Sequence, residues 1–442
     1  DDSDLTFTKL RWKALQGSRE PWVGPTCSMC HTSHISYQGT QLTVYGGQTM
    51  GDLAGFQLEI LGALQSTRAD TSKFERFARK VLGADGLVSG YNDANKARLQ
   101  AALDATIVRL RDGSHFNLPH DPEFGPGRLD AIGSIFNSVG YELHADEQIY
   151  GAEDAPVSYP FLWNVPQLDR VQWTGFNPNH INVVEIDNRK FDVGALARNA
   201  GEAVGVFADV KVLSPIQSAL HIGYPSSINV DNLIRIEDQL GQLKPPAWPK
   251  EVFGEIDLKK ASQGRALFEA NCAFCHAPKV QPAEYAAPGR NPEWRMHMVP
   301  TEVIGTDPTT ADNIADHRYD LRKLGWSVDE LARMNVQLIG ADPQQLDLSQ
   351  LSSAKGLAYI TAFVEQRAYR DAGIPPEQQK TMNGFDLPIG VQELRAYKAR
   401  PLDGVWATPP FLHNGSVPNL FQLLSPAAER SPQFYVGTFE FD

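Results

Sequence analysis

The chain has few cysteines, no long apolar run and no excess of basic side chains, and these shortages limit what it can be. No run of about 18 apolar residues occurs, so the sequence predicts no membrane span. The net charge is −13, which argues against nucleic acid as a partner because phosphates need a basic face. An acidic surface is compatible with a cationic partner protein, and equally with simple solvation.

All four cysteines fall in two copies of one pattern. Cys27-Ser28-Met29-Cys30-His31 recurs as Cys272-Ala273-Phe274-Cys275-His276. C-x-x-C-H is typical of covalent c-type haem attachment: both thiols bond to the haem edge, and His31 or His276 reaches the iron as proximal ligand. A Cys₄ zinc site needs no such His, a thioredoxin-like pair needs a βαβ context, and disulfides do not favour this spacing. The sequence therefore predicts two covalently bound haem c groups.

The same motif predicts the compartment. Haem is joined to C-x-x-C-H outside the cytoplasm, whereas the chain begins Asp1-Asp2-Ser3-Asp4 with no visible signal peptide. We therefore expect a periplasmic or secreted protein whose leader has been removed.

The length and the helical spacing of apolar residues predict a mainly α fold with two cytochrome c-type haem domains, long irregular loops and little β structure. Proline residues stiffen the stretch from Leu243 to Pro249, which places an N-terminal haem domain at 1–242, a linker at 243–256 and a C-terminal haem domain at 257–442. Residues 1–26 read as a polar lead-in and 37–47 as β-like or looped. Helices are predicted around 53–64, 74–81, 99–110, 129–136, 195–207, 257–270 and 356–369.

The helix over 257–270 runs straight into the second cysteine motif and resembles the first helix of class I cytochrome c domains. In those domains a glycine and an aromatic residue let the first and last helices cross closely. Gly264 and Phe268 occupy the matching stripe here. We expect the helix over 356–369 to be the crossing partner.

The sixth position on each iron decides between electron transfer and binding of O₂ or peroxide. His34 is too near His31 to reach the other face of the first haem, and no further His or Met follows until Met50. The sequence thus favours an open or weakly ligated first haem. For the second haem the candidate ligands are Met296, His297, Met298, His317 and His413, each of which could instead be an ordinary core residue.

The segment 152–178 is rich in proline and aromatic residues. Phe161, Trp163 and Phe176 are candidates for a wall around a flat cofactor, although ordinary loop packing explains them equally well.

Two further motifs carry a family resemblance. The run Thr408-Pro409-Pro410-Phe411-Leu412-His413-Asn414-Gly415-Ser416 resembles the signature of the bacterial dihaem cytochrome c peroxidase superfamily, and so does Asn164-Val165-Pro166 followed by Val171-Gln172-Trp173. The order of motifs along the chain also matches. Arg198-Asn199-Ala200-Gly201-Glu202 and the ending Phe434-Tyr435-Val436-Gly437 resemble the oxygenase-like branch, which contains rubber oxygenases and fatty-acid dioxygenases.

The resemblance implies roles for individual residues. Trp173 would lie between the haems as an electron bridge, and Glu202 would match the distal acid–base carboxylate, with a solvated helix position as its alternative. Asn164, Thr408 and the Pro410 carbonyl would hold one calcium ion at the domain interface. The sixth ligand of the second haem would come from His413 or from a residue beyond Asp442.

The sequence departs from the peroxidases in one respect that bears on function. Those enzymes close the first haem with a second His after the motif, and none is found here. We therefore expect a dioxygenase that activates O₂ at the N-terminal haem and acts on an unsaturated apolar substrate, a fatty acid or an isoprenoid. The alternatives are a peroxidase that takes electrons from a small cytochrome or a cupredoxin, and a pure electron carrier.

Overall fold

Helices hold most of the regular structure in a computed structural model of the chain. The structure describes residues 7–13, 19–83, 90–114, 124–144, 151–179, 183–186, 189–206, 208–213, 223–277, 279–280, 294–324, 347–371, 373, 375 and 394–441. The helices of these residues are α1 (Leu53–Ala69), α2 (Thr71–Gly83), α3 (Asp93–Ser114), α4 (Ala131–His144), α5 (Val193–Val206), α6 (Val230–Leu240), α7 (Lys250–Phe253), α8 (Leu258–Asn271), α9 (Ala273–His276), α10 (Thr301–Ile304), α11 (Thr309–Asp316), α12 (Ser353–Asp371) and α13 (Leu420–Leu424). All seven predicted helices are confirmed.

The described strands are short and pair two by two, each pair antiparallel. The pairs are β1 (Phe7–Lys13) with β2 (Arg19–Pro25), β3 (Thr32–Tyr37) with β4 (Thr40–Tyr45), β5 (Arg128–Leu129) with β6 (Val157–Ser158), β7 (Arg170–Val171) with β8 (Asn177–Pro178), β9 (Val183–Ile186) with β10 (Arg189–Asp192), β11 (Lys279–Val280) with β12 (Trp294–Arg295), β13 (His297–Pro300) with β16 (Ala396–Ala399), and β14 (Arg318–Tyr319) with β15 (Leu351–Ser352). The polar stretch over residues 1–26, for which no regular structure was predicted, contains the β1–β2 hairpin.

Local signals start several helices. The Asp52 carboxylate accepts from the N–H of Gly55 at the start of α1, and the Asp257 carboxylate accepts from the N–H groups of Lys259 and Lys260 at the start of α8. Such caps satisfy backbone donors that have no partner inside the helix. Within the described ranges, every helix is too short or too polar to traverse a bilayer.

The main core joins parts of the chain that are far apart in sequence. α12 packs on α4 and α5, and their apolar faces form one buried cluster that includes Phe136, Val204 and Phe363. The core thus draws on residues before and after the proline-rich stretch. The division of the chain into domains at 243–256 stays a prediction.

The expected crossing of the helix before the second motif with the late helix is not formed at Gly264. A Cβ atom built on Gly264 meets no atom within 4 Å, so no described residue approaches that face of α8. The close approach is instead at Gly356, whose Cβ would lie 2.7 Å from Cε2 of the buried Tyr319 ring. The apolar face of α12 is therefore covered by the main core and not by α8.

The proline-rich stretch is anchored to the protein. Trp248 and Phe253 pack on each other and on Trp406, and the Trp406 indole donates to the Pro246 carbonyl at 3.1 Å. Phe253 and Leu243 lie against a second buried cluster made by Ile35, Val44, Phe161, Trp163 and Ala407. This cluster connects the β3–β4 hairpin after the first motif to the segment that follows β16.

The Gly356 contact gives a stability prediction. Gly356→Ala should lower the free energy of unfolding by about 1–3 kcal/mol, because the added methyl group overlaps the Tyr319 ring in a packed core. Gly264→Ala is the matched control: it sits in open space within a helix and should raise stability by up to about 1 kcal/mol. Urea unfolding of the two variants of the holoprotein measures both. Equal effects of the same sign would contradict this packing.

Candidate functional site

The first cysteine motif forms a tight turn in front of a strand. Cys27–Met29 is one turn of 3₁₀ helix, and the backbone N–H of His31 donates to the Cys27 carbonyl at 3.0 Å. β3 begins at the next residue. The turn brings the two thiols close enough for Cys27 to raise the pKa of Cys30, as attachment to one ring edge requires.

The second motif repeats this turn after a helix. α8 ends at Asn271 and the short α9 carries Cys275 and His276. The backbone N–H of His276 donates to the Cys272 carbonyl at 2.9 Å. In both motifs the N–H of the histidine therefore donates to the carbonyl of the first cysteine. The first motif leads into a strand, whereas the second follows a helix.

His276 is oriented as an iron ligand needs to be. Its Nδ1 lies 2.8 Å from the carbonyl oxygen of Arg400. A carbonyl can only accept, so Nδ1 carries the proton and Nε2 keeps its lone pair. Metal-binding histidines are commonly fixed in this way by a backbone carbonyl.

His31 is held in its neutral form. Burial lowers the pKa of His31 to about 4, and the charge of Arg400 acts in the same direction. The His31 ring meets Tyr159 edge-on, and its Nδ1 is buried with no hydrogen-bond partner. A neutral imidazole is the form that binds a metal.

The thiols and histidines of the two motifs bear on the alternatives to haem. None of the four cysteines forms a disulfide. Burial, with the charges of Cys27 and Glu202, raises the pKa of the Cys30 thiol to about 12, which disfavours a reactive thiolate in the first pair. A Cys₄ zinc site needs its ligands gathered around one point, and among the described residues no group of three or more His, Cys, Asp or Glu side chains could hold a metal ion. Paired thiols beside a buried His31 of lowered pKa and a His276 held by a carbonyl fit covalent haem.

Glu202 lies near the first motif. Its charge raises the pKa of both Cys27 and Cys30, and its carboxylate accepts a hydrogen bond from the Gln172 side chain. Burial raises the pKa of Glu202 to about 7, against the opposing effects of Arg198 and Gln172. The carboxyl group can therefore take up or release a proton near neutral pH.

α5 fixes the position of Glu202 through a buried network one turn earlier. Arg198 forms a buried ion pair with Glu237 of α6 and donates to the Asn179 side chain. Asn199 donates to the same Glu237 carboxylate at 2.7 Å. These contacts tie α5 to α6 and to the segment after β8, so the helix cannot easily rotate Glu202 away.

Trp173 is held between the segment of Ser158 and the strand β16. Its indole donates to the Ser158 carbonyl at 2.8 Å, and its own carbonyl accepts from the N–H of Lys398 at 2.8 Å. The Arg400 guanidinium carbon is 5.4 Å from the Trp173 ring centroid. Arg400 also contacts His276 through its carbonyl, so Trp173 shares a neighbour with the second motif.

The three predicted wall residues lie in two different clusters. Phe161 and Trp163 stack with ring centroids 4.6 Å apart, and the Trp163 indole donates to the Asp403 carbonyl at 2.7 Å. Phe176 packs edge-on against Phe136 in the main core. Phe161 and Trp163 therefore lie together in the second buried cluster, whereas Phe176 packs against α4 in the main core.

The candidate sixth ligands differ in availability. His317 has both ring nitrogens engaged, Nδ1 with the Ser353 hydroxyl and Nε2 with the N–H of Gly151. His413 is buried against the Tyr397 ring, and its Nε2 has no hydrogen-bond partner. His297 lies edge-on to Phe274 of the second motif, with centroids 5.0 Å apart. His413 and His297 are therefore better candidates for the sixth ligand of the second haem. His317 is a core residue whose two ring nitrogens already have hydrogen-bond partners.

The residues expected to bind calcium lie in tight turns. Asn164 has a positive φ of 65° just before a 3₁₀ turn, and the Thr408 hydroxyl donates to the Val405 carbonyl at 3.0 Å. The Pro409 carbonyl accepts from the Gln48 side chain at 2.8 Å, with the Pro410 carbonyl 3.4 Å from the same nitrogen. The calcium site stays a prediction.

Sequence reasoning missed Arg400, Lys398 and Gln172. Arg400 and Lys398 are buried beside Trp173, and Gln172 holds Glu202. Gln172 stands directly before Trp173 in a motif that carries the family resemblance, so its position was a usable signal. Nothing in the spacing around Arg400 marks it, because its partners are distant in sequence.

Comparison with known proteins shows similarity to one family model and to two proteins. Residues 396–436 match the model of the family described as RoxA-like, cytochrome c-like. The uncharacterized protein y4iJ of Sinorhizobium fredii (strain NBRC 101917 / NGR234) is 32% identical over 466 residues, which cover 96% of this chain and 69% of that protein. The uncharacterized protein y4iM of the same strain is 30% identical over 221 residues, half of this chain and 40% of that protein.

The two attachment turns make a prediction that needs no activity. In a host that matures c-type cytochromes, the wild-type chain should carry two haem masses under denaturing conditions. Cys27→Ser with Cys30→Ser should remove one, and Cys272→Ser with Cys275→Ser the other. Met29→Leu, at a variable position inside the motif, should keep both. Intact-mass spectrometry reads the outcome, and a wild-type mass equal to the bare polypeptide would refute covalent attachment.

Proposed function

We propose that this chain, which belongs to the same family as the Sinorhizobium fredii protein y4iJ, is an extracytoplasmic oxidoreductase with two covalent haem c groups. The paired attachment turns and the anchored His276 support the haems. The match of residues 396–436 to a RoxA-like, cytochrome c-like domain supports an oxygenase-like protein. The reaction proposed is oxygenation, at the N-terminal haem, of an unsaturated apolar substrate, a fatty acid or an isoprenoid.

The observation that carries the enzymatic proposal is the position of Glu202. A pure electron carrier has no use for a titratable carboxyl beside its haem attachment site, whereas an enzyme that activates O₂ or peroxide must handle protons there. Burial raises the pKa of Glu202 to about 7, and the charge of Glu202 raises the pKa of both thiols of the first motif. Haem, when bound, supplies the one-electron and O₂ chemistry. The task of Glu202 is to hold or release the proton that this chemistry requires.

The neighbouring residues have separate tasks in this proposal. Gln172 donates to the Glu202 carboxylate and keeps it oriented. Trp173 is held at its indole and its carbonyl, and its rigid position suits an electron bridge between the two sites. Phe161 and Trp163 stack on each other in the buried layer beside Arg400 and would form part of the wall around the haems. Asn164, Thr408 and the Pro410 carbonyl would bind calcium, whose preferred ligands are oxygens.

A peroxidase is the second candidate, and the same carboxyl favours it, since a carboxylate can take the proton of bound peroxide. In that reaction a small cytochrome or cupredoxin delivers electrons at the second haem. The RoxA-like match of residues 396–436 favours oxygenation over peroxide reduction.

One experiment separates the three activities. The oxidised holoprotein should show a high-spin haem in its electronic spectrum, and incubation with oleate or polyisoprene under O₂ should give oxygenated products by mass spectrometry. Fast peroxide turnover with a reduced small cytochrome, without such products, would favour the peroxidase. Two low-spin haems and no turnover of either substrate would leave only electron transfer.

Glu202→Gln tests the role of the carboxyl. The variant keeps the size and the hydrogen-bond capacity toward Gln172 but removes the exchangeable proton. We expect kcat to fall about 10²–10⁴-fold, which is the range for general acid–base catalysis, with haem content and the resting spectrum unchanged. Glu59→Gln, on the exposed face of α1, is the control and should leave kcat unaltered. Full activity of Glu202→Gln would remove Glu202 from the mechanism.

A further inference from the structure

Three buried basic side chains lie close to Trp173 in the described part of the chain. Arg170, Lys398 and Arg400 are each 9% exposed or less, and within the described ranges none of them forms an ion pair. The charge of Asp169 reaches Arg170 and Lys398, although its Oδ1 already accepts from the N–H of Met296. Burial, with the charges of Arg400 and Arg198, lowers the pKa of Lys398 well below its usual range, so the two guanidinium groups are the charges that need an offset. Buried charges of one sign are costly unless an anion offsets them.

Two of the three basic side chains donate to backbone carbonyls. Lys398 Nζ donates to the Arg170 carbonyl at 2.9 Å, and Arg170 Nη1 donates to the Gly175 carbonyl at 3.2 Å. These bonds satisfy the Lys398 amine and part of the Arg170 guanidinium, and they leave the two guanidinium charges without a carboxylate partner.

Arg400 is the cation that still needs a partner. Its Nη2 donates to the Phe161 carbonyl at 2.6 Å, whereas its Nε is buried with no hydrogen-bond partner. The guanidinium carbon lies 3.5 Å from the ring centroid of Phe161, and Tyr159, two residues before Phe161, meets the His31 ring edge-on. The Arg400 carbonyl, meanwhile, accepts from His276. One residue thus contacts the proximal ligand of the second site and presents an unsatisfied charge near the first.

We propose that the Arg400 guanidinium binds a haem propionate at the boundary between the two sites, and so acts as a positioning residue for both haems. The inference rests on the proposed function, because the anion belongs to the haem. A haem c group carries two propionate carboxylates, and the planar guanidinium fork matches a carboxylate through paired N–H groups. The propionate would satisfy Nε and offset part of the cationic cluster.

A consequence is that Arg400 raises the reduction potential of the haem it contacts. A positive charge in a poorly solvated site stabilises the added electron and neutralises the propionate, which would otherwise repel that electron. Arg400→Gln should lower the midpoint potential of one haem by a shift that corresponds to about a tenfold change in its reduction equilibrium, or ~59 mV. Arg400→Lys keeps the charge and should restore most of that shift.

The test is a spectroelectrochemical titration of wild type, Arg400→Gln and Arg400→Lys, with resonance Raman spectra of the propionate bending bands. Arg395→Gln is the matched control, since Arg395 stands just before β16, is 48% exposed and pairs with Asp312 and Asp316. We expect potential and Raman band both to change in Arg400→Gln, and the band alone to change in Arg400→Lys. The control should leave both unaltered.

Every other pattern counts against the proposal. Unchanged potentials and bands in both Arg400 variants would overturn it, as would an equal fall of potential in Arg400→Lys and Arg400→Gln. If Arg400→Gln does not fold, an unchanged propionate band in Arg400→Lys is by itself enough to overturn the proposal. The haem content of the same samples separates a failure of the Arg400 assignment from a failure of the proposed function. A wild-type chain without haem refutes both proposals. Two bound haems with unchanged potentials in the Arg400 variants refute the Arg400 assignment alone.

Discussion

The hydrogen bond from the His276 imidazole to the Arg400 carbonyl joins segments 124 residues apart, and the arrangement of the site depends on it. It orients the His276 imidazole and brings the end of β16 to the second motif. β16 in turn places Lys398 against the Trp173 backbone and Arg400 against Phe161. The two motifs are therefore connected through a strand that belongs to neither.

Burial determines the chemistry of the groups around this strand. It keeps His31 neutral and raises the pKa of Glu202 to about 7. The same desolvation that favours a neutral imidazole and a neutral carboxyl makes the nearby guanidinium charges costly. A purely structural core would avoid such charges, and in our proposal a haem propionate compensates them.

The main core shows how far local pattern could predict the fold. Helical periodicity located α1, α2, α3, α4, α5, α8 and α12, because the apolar spacing of a helix is a local property. It did not indicate which helices pack together. Gly264 and Gly356 both stand in helices, yet only Gly356 meets a neighbour, the Tyr319 ring. The β1–β2 hairpin was missed because residues 1–26 were read from their polarity alone.

The sequence by itself determined the two Cys-x-x-Cys-His motifs and the prediction of haem that rests on them, since covalent attachment requires fixed residue types at a fixed local spacing, which no later folding step can alter. It also pointed to Glu202 and Trp173 through a family resemblance. Only the tertiary structure decided that Gln172 holds Glu202, that Phe176 lies apart from Phe161, and that Arg400 stands between the motifs. Each of these facts is a contact between distant segments, and its energy depends on burial and charge that exist only after the chain has folded.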